Sequence, residues 1–272
     1  MDIKKILKEN GFNFKKAFGQ NFLTDESLLA DIVERSKINS EIVALEIGVG
    51  GGTLTREIAK RAKKVIGFEI DTNLKPVLDI TLNEFSNVEI VYGDVMKYSI
   101  EEIEKMLGEN YVLIANLPYY ITTPIIMRFI EESTKVDKIV ITIQKEVAER
   151  IVAKEKTSDY GSITVAINAV ADCKIIKVLG RELFYPSPNV DSAVVEISLN
   201  RTKFDIKNLQ NFRNLVKCAF SMRRKTLVNN LIKGYGFSRE VAESYLEKLN
   251  IPITVRGEEL STLDFVNLSN IL

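Results

Sequence analysis

The residues with the clearest chemical potential form a glycine-rich turn, Glu46–Thr53, that follows a short apolar segment. Glycines at a strand-to-helix turn let the backbone come close to a ligand. Glu69 lies 21 positions after Gly48, where a carboxylate can accept hydrogen bonds from two ribose hydroxyls. Asp94 ends the next apolar run and could accept from an adenine amine. The glycine turn alone could be an ordinary strand-end turn, but with two strand-end acids it predicts a nucleotide-like cofactor.

The glycine turn matches one nucleotide-binding pattern better than another. The dinucleotide fingerprint G-x-G-x-x-G/A has a small residue at its sixth position, which is Thr53 in this chain. The pattern acid-x-Gly-x-Gly-x-Gly, which runs over Glu46–Gly52, resembles the first motif of S-adenosylmethionine-dependent methyltransferases. This resemblance favours S-adenosylmethionine over a nicotinamide dinucleotide.

A second candidate site is the turn Asn116-Leu117-Pro118-Tyr119-Tyr120, which follows the fourth apolar run. Proline fixes φ and offers no donor, so the Asn116 amide oxygen and nearby carbonyls can form a fixed set of acceptors. Tyr119 can supply a flat stacking face. This combination suits an aromatic exocyclic amine such as adenine N6. The simpler interpretation is a proline turn with a half-buried tyrosine, and the position behind a cofactor-type first half favours the functional one.

The chemistry at such a turn needs no histidine, and the chain has none. An adenine amine is a poor nucleophile because its lone pair is delocalised into the ring. Acceptors that bind its hydrogens favour a pyramidal nitrogen with a localised lone pair. A sulfonium methyl donor already carries a good leaving group, so the residual proton can leave after transfer.

Composition sets broad limits on the class of protein. The 272 residues are 46% hydrophobic and 27% charged, which is typical of a globular chain of one or two domains. The absence of His and the presence of two Cys exclude His-based catalysis, predict no metal site or disulfide framework, and fit a reducing compartment. No apolar run approaches the roughly 20 residues that span a bilayer. We therefore expect a soluble cytoplasmic protein with no membrane partner.

Short Val/Ile-rich runs alternate with helical patterns through the middle of the chain. Strands covered on both faces, with helical crossovers, predict a doubly wound α/β fold with a mostly parallel sheet. The predicted helices lie near Thr53–Arg61, near Asn73–Glu84, after Thr123 and over Glu146–Ala153. The predicted strands are Ile42–Gly48, Lys64–Ile70, Val88–Asp94, Tyr111–Leu117 and Lys138–Gln144, followed by Cys173–Leu179 and Ala193–Leu199 as an antiparallel edge pair.

The last part of the chain is helical and basic. We expect a catalytic, cofactor-binding domain over residues 1–200 and a small α-helical domain over 201–272. Net charge is zero overall, but residues 201–235 contain nine Lys or Arg and one acid. On a helical wheel Arg213, Lys217 and Arg224 fall within 40° of one another, flanked by Arg223 and Lys225. A one-signed stripe of this kind is typical of RNA phosphate binding, the alternative being a solvated helix face.

The N-terminal segment is also basic. Five lysines precede residue 20 and are the candidates for a mobile RNA-binding arm: Lys4, Lys5, Lys8, Lys15 and Lys16.

Taken together, these motifs resemble the ribosomal RNA adenine dimethyltransferase family, and most closely its KsgA-type small-subunit members. The resemblance runs over most of the chain, and six motifs in the right order are highly specific. The segments that carry it are Phe18–Leu23, Glu46–Gly52, Gly93-Asp94, Asn116–Tyr120, Gln144–Arg150 and Phe184–Val194, with Arg223–Leu227 in the tail.

The resemblance implies a Rossmann-like class I methyltransferase fold and S-adenosylmethionine as methyl donor. It implies dimethylation of two adjacent adenosines near the 3′ end of small-subunit rRNA, late in subunit assembly, and we expect a monomer. It places cofactor contacts on Asn21, Leu23, Gly48, Glu69, Asp94 and Asn116.

The target-amine pocket implied by the resemblance consists of Asn116, Leu117 through its carbonyl, and Tyr119. Phe184 matches an aromatic that could stack on the other face of the base, or it could be an apolar anchor before a proline-rich loop. The family loop usually has Pro at the position of Val49. Because the backbone path needs only the glycines, we expect activity to be retained.

Three alternatives stay open at this point. A sibling large-subunit rRNA adenine methyltransferase of the macrolide-resistance type is disfavoured by Asn116–Tyr119, by Leu23 and by the segment after Tyr185. A non-catalytic RNA-binding assembly or transcription factor is disfavoured by the intact Asn-Leu-Pro-Tyr turn. A nicotinamide-dependent oxidoreductase is disfavoured by Thr53 and by the lack of an obvious proton donor.

Overall fold

The computed structural model describes residues 2–14 and 20–272. Lys15 and Lys16 of the predicted basic arm, and Phe18-Gly19 of the first family motif, lie outside the described residues. The chain forms two compact units, one of residues 1–148 and 174–199 and the other of 149–173 and 200–272. The second unit thus includes 149–173 as well as the segment that follows residue 200.

The first unit contains a seven-stranded sheet. Its order is β4-β3-β2-β5-β6-β9-β7, and the five strands from β4 to β6 run parallel, whereas β9 is antiparallel to β6. The strands are β2 (Val43–Ile47), β3 (Lys64–Glu69), β4 (Val88–Tyr92), β5 (Tyr111–Asn116), β6 (Val136–Gln144), β7 (Ala171–Leu179) and β9 (Ser192–Leu199). Two further strands, β1 (Phe22–Leu23) and β8 (Phe184–Tyr185), form a separate antiparallel pair.

In the described residues up to Ile151, seven helices accompany the strands. The central strands β2 and β5 are buried almost throughout because helices cover both faces of the sheet, as their continuous apolar sequences predict. The helices are α1 (Ile3–Glu9), α2 (Glu26–Arg35), α3 (Thr53–Ala59), α4 (Lys75–Thr81), α5 (Ile100–Leu107), α6 (Tyr119–Glu132) and α7 (Lys145–Ile151).

The seven predicted strands all occur, with ends that shift by no more than two residues, but one helix prediction needs correction. Helix α6 begins at Tyr119 and not after Thr123, because Pro118 starts it at φ −55° and the Thr122 hydroxyl donates to the Pro118 carbonyl in its first turn. Helix α5 was not predicted; Ser99 and Glu102 form a capping box at its start. The carboxyl end of β5 is therefore followed closely by the start of α6, and its side chains lie at the carboxyl edge of the sheet.

The second unit is helical. Its apolar core includes Phe212, Leu215, Leu231 and Phe265, all with no more than 1% of their surface exposed. The helices are α8 (Ser162–Asn168), α9 (Leu209–Ala219), α10 (Leu227–Tyr235), α11 (Arg239–Glu247) and α12 (Thr262–Ile271). Among the described residues, no helix reaches the length and hydropathy that a bilayer-spanning segment requires.

Candidate active site

The glycine turn connects β2 to α3 and has the backbone that its sequence predicts. Gly48 and Gly50 adopt φ values of +77° and +59°, which side chains with a Cβ rarely accept. A Cβ at Gly50 would lie 2.8 Å from the Phe22 ring, so the loop and β1 are in close contact. The Gly48 N–H donates to the Phe68 carbonyl at 2.9 Å, which fixes the turn against β3.

Glu69, at the end of β3, joins two backbone segments of the site. One carboxylate oxygen accepts from the Gly50 N–H and the other from the Asp71 N–H, both at 2.8 Å. The side chain is 4% exposed, and burial raises the pKa of the carboxyl while the backbone donors oppose that rise. Since a carboxylate has about four acceptor positions, Glu69 can hold the loop and still accept from a ligand.

Glu46, on β2, is a buried acid to which the sequence assigned no separate role. It is 1% exposed, and Oε2 has no hydrogen-bond partner among the described residues. Burial raises the pKa of Glu46 to about 8; the charge of Glu69 adds to the rise and the Thr55 hydroxyl opposes it. An orphaned buried oxygen of this kind is costly unless a ligand satisfies it.

Asp94 follows β4 and caps the short turn Val95–Lys97. Its Oδ1 accepts from the Met96 N–H at 2.9 Å. The side chain is half-buried, and its other oxygen has no hydrogen-bond partner among the described residues. Asp94 therefore stands at the same sheet edge as Glu69 with one acceptor available.

Asn116 ends β5 and contacts a segment far from it in the sequence. Its amide Nδ2 donates to the Asn21 carbonyl at 2.9 Å, across 95 positions. This bond fixes the amide orientation, and Oδ1 has no hydrogen-bond partner among the described residues. The next residue, Leu117, is 4% exposed. A Cβ at Gly48 would lie 3.6 Å from its Cδ2, so the ends of β2 and β5 are close.

Tyr119 is the first residue of α6 and is half-buried. Its hydroxyl and the Ser192 hydroxyl are 2.8 Å apart, which fixes the ring beside β9. Burial raises the pKa of Tyr119, the Ser192 hydrogen bond opposes that shift, and the phenol therefore stays neutral at physiological pH. The neutral ring presents a stacking face and not a charge.

Phe184 lies in β8, opposite Leu23 of β1. It is 5% exposed and packs in an apolar cluster with Leu23 and Leu29. It also lines the cleft described below. The structure therefore places Phe184 both where it could face a base and where it anchors the core, and the stacking role stays a prediction.

A single cleft brings together all nine predicted cofactor and target-amine residues. It holds about 1060 Å³ of empty space, part of which is open solvent. Three acids, Glu46, Glu69 and Asp94, line it, and no Lys or Arg does so within the described part of the chain. The nine predicted residues are Asn21, Leu23, Gly48, Glu69, Asp94, Asn116, Leu117, Tyr119 and Phe184.

Sequence reasoning missed several residues that shape the cleft. The Thr53 hydroxyl donates to the Leu23 carbonyl at 3.0 Å, so the residue that departs from the dinucleotide fingerprint ties β1 to the start of α3. Ser192, the partner of Tyr119, carries no signal of its own because it lies 73 positions away. Glu46 was identified only as the acid of the glycine motif, and its burial could have been predicted because it lies in an otherwise apolar strand.

The predicted RNA-binding residues lie in the second unit, but they do not share one helix. Helix α9 ends at Ala219, and Arg223, Arg224 and Lys225 lie in the turn before Thr226, which caps α10. The prediction of a continuous helical stripe with Arg213 and Lys217 is therefore wrong. The cause is the Thr226 side chain, which accepts from the Asn229 N–H and starts a new helix.

The four cations around the α9–α10 turn differ in their surroundings. Lys217, Arg224 and Lys225 are exposed, and none has an ion pair within the described part of the chain. Arg223 is also exposed, but its guanidinium is bound to other residues of the second unit. Its guanidinium donates to the Ser158 carbonyl at 2.8 Å and lies 3.7 Å from the Glu258 carboxylate. Arg213, on α9, is half-buried.

The strand order with an antiparallel β9 inserted beside β6, and the glycine turn with acids on β2 and β3, define a class I methyltransferase. The family model described as "Ribosomal RNA adenine dimethylase" matches residues 11–272. The chain therefore belongs to the ribosomal RNA adenine dimethylase family.

Curated relatives agree with this assignment over nearly the whole chain. The chain is 41% identical to a protein named "Ribosomal RNA small subunit methyltransferase A" from Bacillus pumilus, with 99% of this chain and 94% of that protein covered. It is 42% identical to the protein of the same name from Bacillus mycoides, with the same coverage.

Solved structures agree as well. A dimethyladenosine transferase from Plasmodium falciparum matches with a TM-score of 0.79 and 28% identity, over 91% of this chain and 95% of that one. The 23S rRNA methyltransferase ErmE matches with a TM-score of 0.71 and 25% identity, over 92% of this chain and 98% of that one.

Proposed function

We propose that this protein transfers methyl groups from S-adenosylmethionine to the N6 amines of two adjacent adenosines near the 3′ end of small-subunit rRNA, as a monomer acting on an assembling subunit. The observation that carries the proposal is the Asn116 amide in an acidic cleft that Tyr119 also lines: its nitrogen donates to the Asn21 carbonyl, and its oxygen has no hydrogen-bond partner among the described residues. The names of the curated relatives support the small subunit as substrate over the large one.

The cleft suits a cationic nucleoside. Three lining acids without a lining Lys or Arg, in the described part of the chain, favour a sulfonium and an ammonium group and disfavour a pyrophosphate. When bound, S-adenosylmethionine supplies an electrophilic methyl group with a neutral thioether as leaving group. Glu69 would accept from its ribose hydroxyls and Asp94 from its adenine amine, and Glu46 Oε2 is a buried polar atom in the same cleft that has no hydrogen-bond partner among the described residues.

The chain's own residues prepare the target amine. Asn116 Oδ1 and the Leu117 carbonyl act as acceptors for the amine hydrogens, which localises the nitrogen lone pair. Tyr119 stacks on the base, and Phe184 would cover its other face. Because these residues line a cleft, the adenosine must leave any helical stack to reach them, as bases do in other enzymes that act on them.

Two successive methyl transfers limit how many hydrogen bonds the pocket can require from the target amine. After the first transfer the amine keeps one hydrogen, so one of the two acceptors must suffice for the second. Since Oδ1 and the Leu117 carbonyl belong to consecutive residues, either can accept while the other gives way to a methyl group. The proton lost in each transfer passes to solvent, and the neutral Tyr119 phenol has no part in its removal.

RNA affinity would come from the second unit. The exposed Lys217, Arg224 and Lys225 suit phosphates, which fix position and affinity but carry no sequence information. Arg223 would support this surface mainly by holding the turn in place.

The direct experiment uses labelled S-adenosylmethionine with unmodified small and large ribosomal subunits, followed by mapping of the methylated bases. We expect two adjacent dimethylated adenosines near the 3′ end of the small-subunit RNA, and no label with the Asn116→Ala variant. Label on the large subunit alone, or on a base other than adenine, would overturn the proposal.

A further inference from the structure

Tyr120 is a large aromatic side chain that the fold leaves mostly exposed. It is 66% exposed, the highest value for any large apolar side chain in the part of the chain that the structure describes. Among the described residues, its ring contacts no other aromatic ring and its hydroxyl makes no hydrogen bond. Most of the ring surface is therefore available to a ligand.

The position of Tyr120 connects it to the target pocket. It follows Tyr119 in the first turn of α6 and lines the same cleft as Asn116 and Leu117. Consecutive helical residues diverge by about 100° around the axis. Tyr119 is turned to Ser192 and half-buried, whereas Tyr120 is turned out into solvent. One ring thus faces the pocket and the next stands at its mouth.

We propose that Tyr120 is a substrate-binding residue that stacks on the nucleotide next to the adenosine in the pocket. The proposal rests on the proposed function. An extruded base leaves its neighbour without a stacking partner, and exposed aromatic rings commonly supply one in single-stranded RNA recognition. Because the target is one of two adjacent adenosines, the neighbour on one side is the other target. Tyr120 would thus hold the second adenosine while the first is modified.

Stacking on a base uses the face of the ring and not the hydroxyl. We therefore expect Tyr120→Phe to retain kcat/KM on unmodified small subunits, and Tyr120→Ala to lower it by about tenfold, the order that loss of one base–aromatic stack produces. Cofactor affinity by calorimetry should be the same in both variants. Equal kcat/KM for Tyr120→Ala and the unaltered protein would overturn the proposal.

A binding measurement that needs no turnover separates this proposal from the proposed function. The chain has no Trp, so Tyr120→Trp introduces a unique fluorophore at the mouth of the cleft. Its emission should be quenched by a protein-free hairpin RNA that carries both adenosines. The quenching should be much weaker when the nucleotides next to the target adenosine are abasic. Ile80→Trp is the matched control, since Ile80 is 47% exposed on α4 and outside the cleft lining.

The outcomes are distinct. Equal quenching of the Tyr120→Trp and Ile80→Trp variants, or quenching that is indifferent to the abasic sites, would refute the stacking role even if the unaltered protein methylates small subunits. Absence of methylation by the unaltered protein, with base-dependent quenching intact, would refute the proposed function and leave the RNA contact of Tyr120 established.

Discussion

Asn116 Nδ2 and the Asn21 carbonyl are 2.9 Å apart and join the end of β5 to the segment before β1. This bond fixes the orientation of the amide in the cleft lining and leaves its oxygen without a hydrogen-bond partner among the described residues. The short segment that precedes β1 therefore sets the orientation of the acceptor on which the proposed reaction depends. Methylation should be sensitive to both ends of this bond.

Substitution of Asn116 should remove turnover without removing RNA binding. Asn116→Ala loses the acceptor, and Asn116→Asp cannot donate to Asn21 while it is ionised. We expect single-turnover methylation to fall by about a hundredfold or more in both, the order for loss of one positioned polar group. Affinity for RNA should stay within a few-fold. Asn110→Ala is the control, because Asn110 precedes the other end of β5 and its side chain donates a hydrogen bond to Asp137. Full methylation by Asn116→Ala would contradict the amine-positioning role.

Removal of the Glu69 carboxylate should abolish measurable cofactor binding. Glu69→Ala loses both the ribose acceptor and the bond from the Gly50 N–H, so calorimetry with S-adenosylmethionine should show no binding. Glu69→Gln keeps one acceptor oxygen and should bind more weakly than the unaltered protein but detectably. Glu109→Ala, which breaks only an exposed ion pair with Lys63, serves as the control. Unchanged affinity in Glu69→Ala would refute the ribose assignment.

Much of the fold and of the cleft follows from local sequence, for a physical reason. Val/Ile runs such as Val43–Ile47 and Tyr111–Asn116 admit no solvated face, so they predict buried parallel strands whose ends meet at one edge. Contacts between distant segments could not be predicted. Asn21 with Asn116, and Tyr119 with Ser192, depend on how separate elements pack, and no local pattern encodes that.

The error in the basic segment has a similar origin. A charge pattern at helical spacing continues across residues 213–224. The capping residues, and not the spacing of the charges, determine where the helices begin and end. Thr226 caps a new helix and α9 ends at Ala219, so the cations fall on a helix and a turn. Helix periodicity is a weak guide where a Thr, Ser, Asn or Asp offers a competing cap.

The Glu46 carboxyl should make folding stability depend on pH. Its pKa is about 8 in the folded protein, against 4.5 for an exposed glutamate, so the folded state keeps a proton that the unfolded chain releases between these values. Stability should therefore fall as the pH rises from about 4.5 to 8, and the fall should stop above 8. Denaturant unfolding at several pH values measures this slope. Glu46→Gln should flatten it, and an equal slope in that variant would contradict the assignment.

Tyr119 should act through its ring more than through its hydroxyl. Tyr119→Phe and Ser192→Ala each remove the same hydrogen bond, which contributes about 1 kcal/mol. We expect a few-fold lower kcat/KM in each single variant and no further loss in the double variant. Tyr119→Ala also removes the stacking face and should lose at least about tenfold more. Steady-state kinetics on small subunits checks this order, and strictly additive losses for the two conservative variants would contradict a shared bond.

Lys217, Arg224 and Lys225 should determine the salt dependence of RNA affinity, whereas Arg223, which is bound to Ser158 and Glu258, should matter for stability. Each phosphate contact adds about 0.7–0.9 to the slope of log K against log salt. We therefore expect Lys217→Ala, Arg224→Ala and Lys225→Ala together to reduce the slope by about 2 and leave Tm unchanged. Arg223→Ala releases the Ser158 carbonyl and should lower Tm with a smaller change of slope. Filter binding at several salt concentrations, with thermal unfolding of the same variants, separates the two effects; an unaltered slope in the triple variant would assign these side chains to a solvated surface.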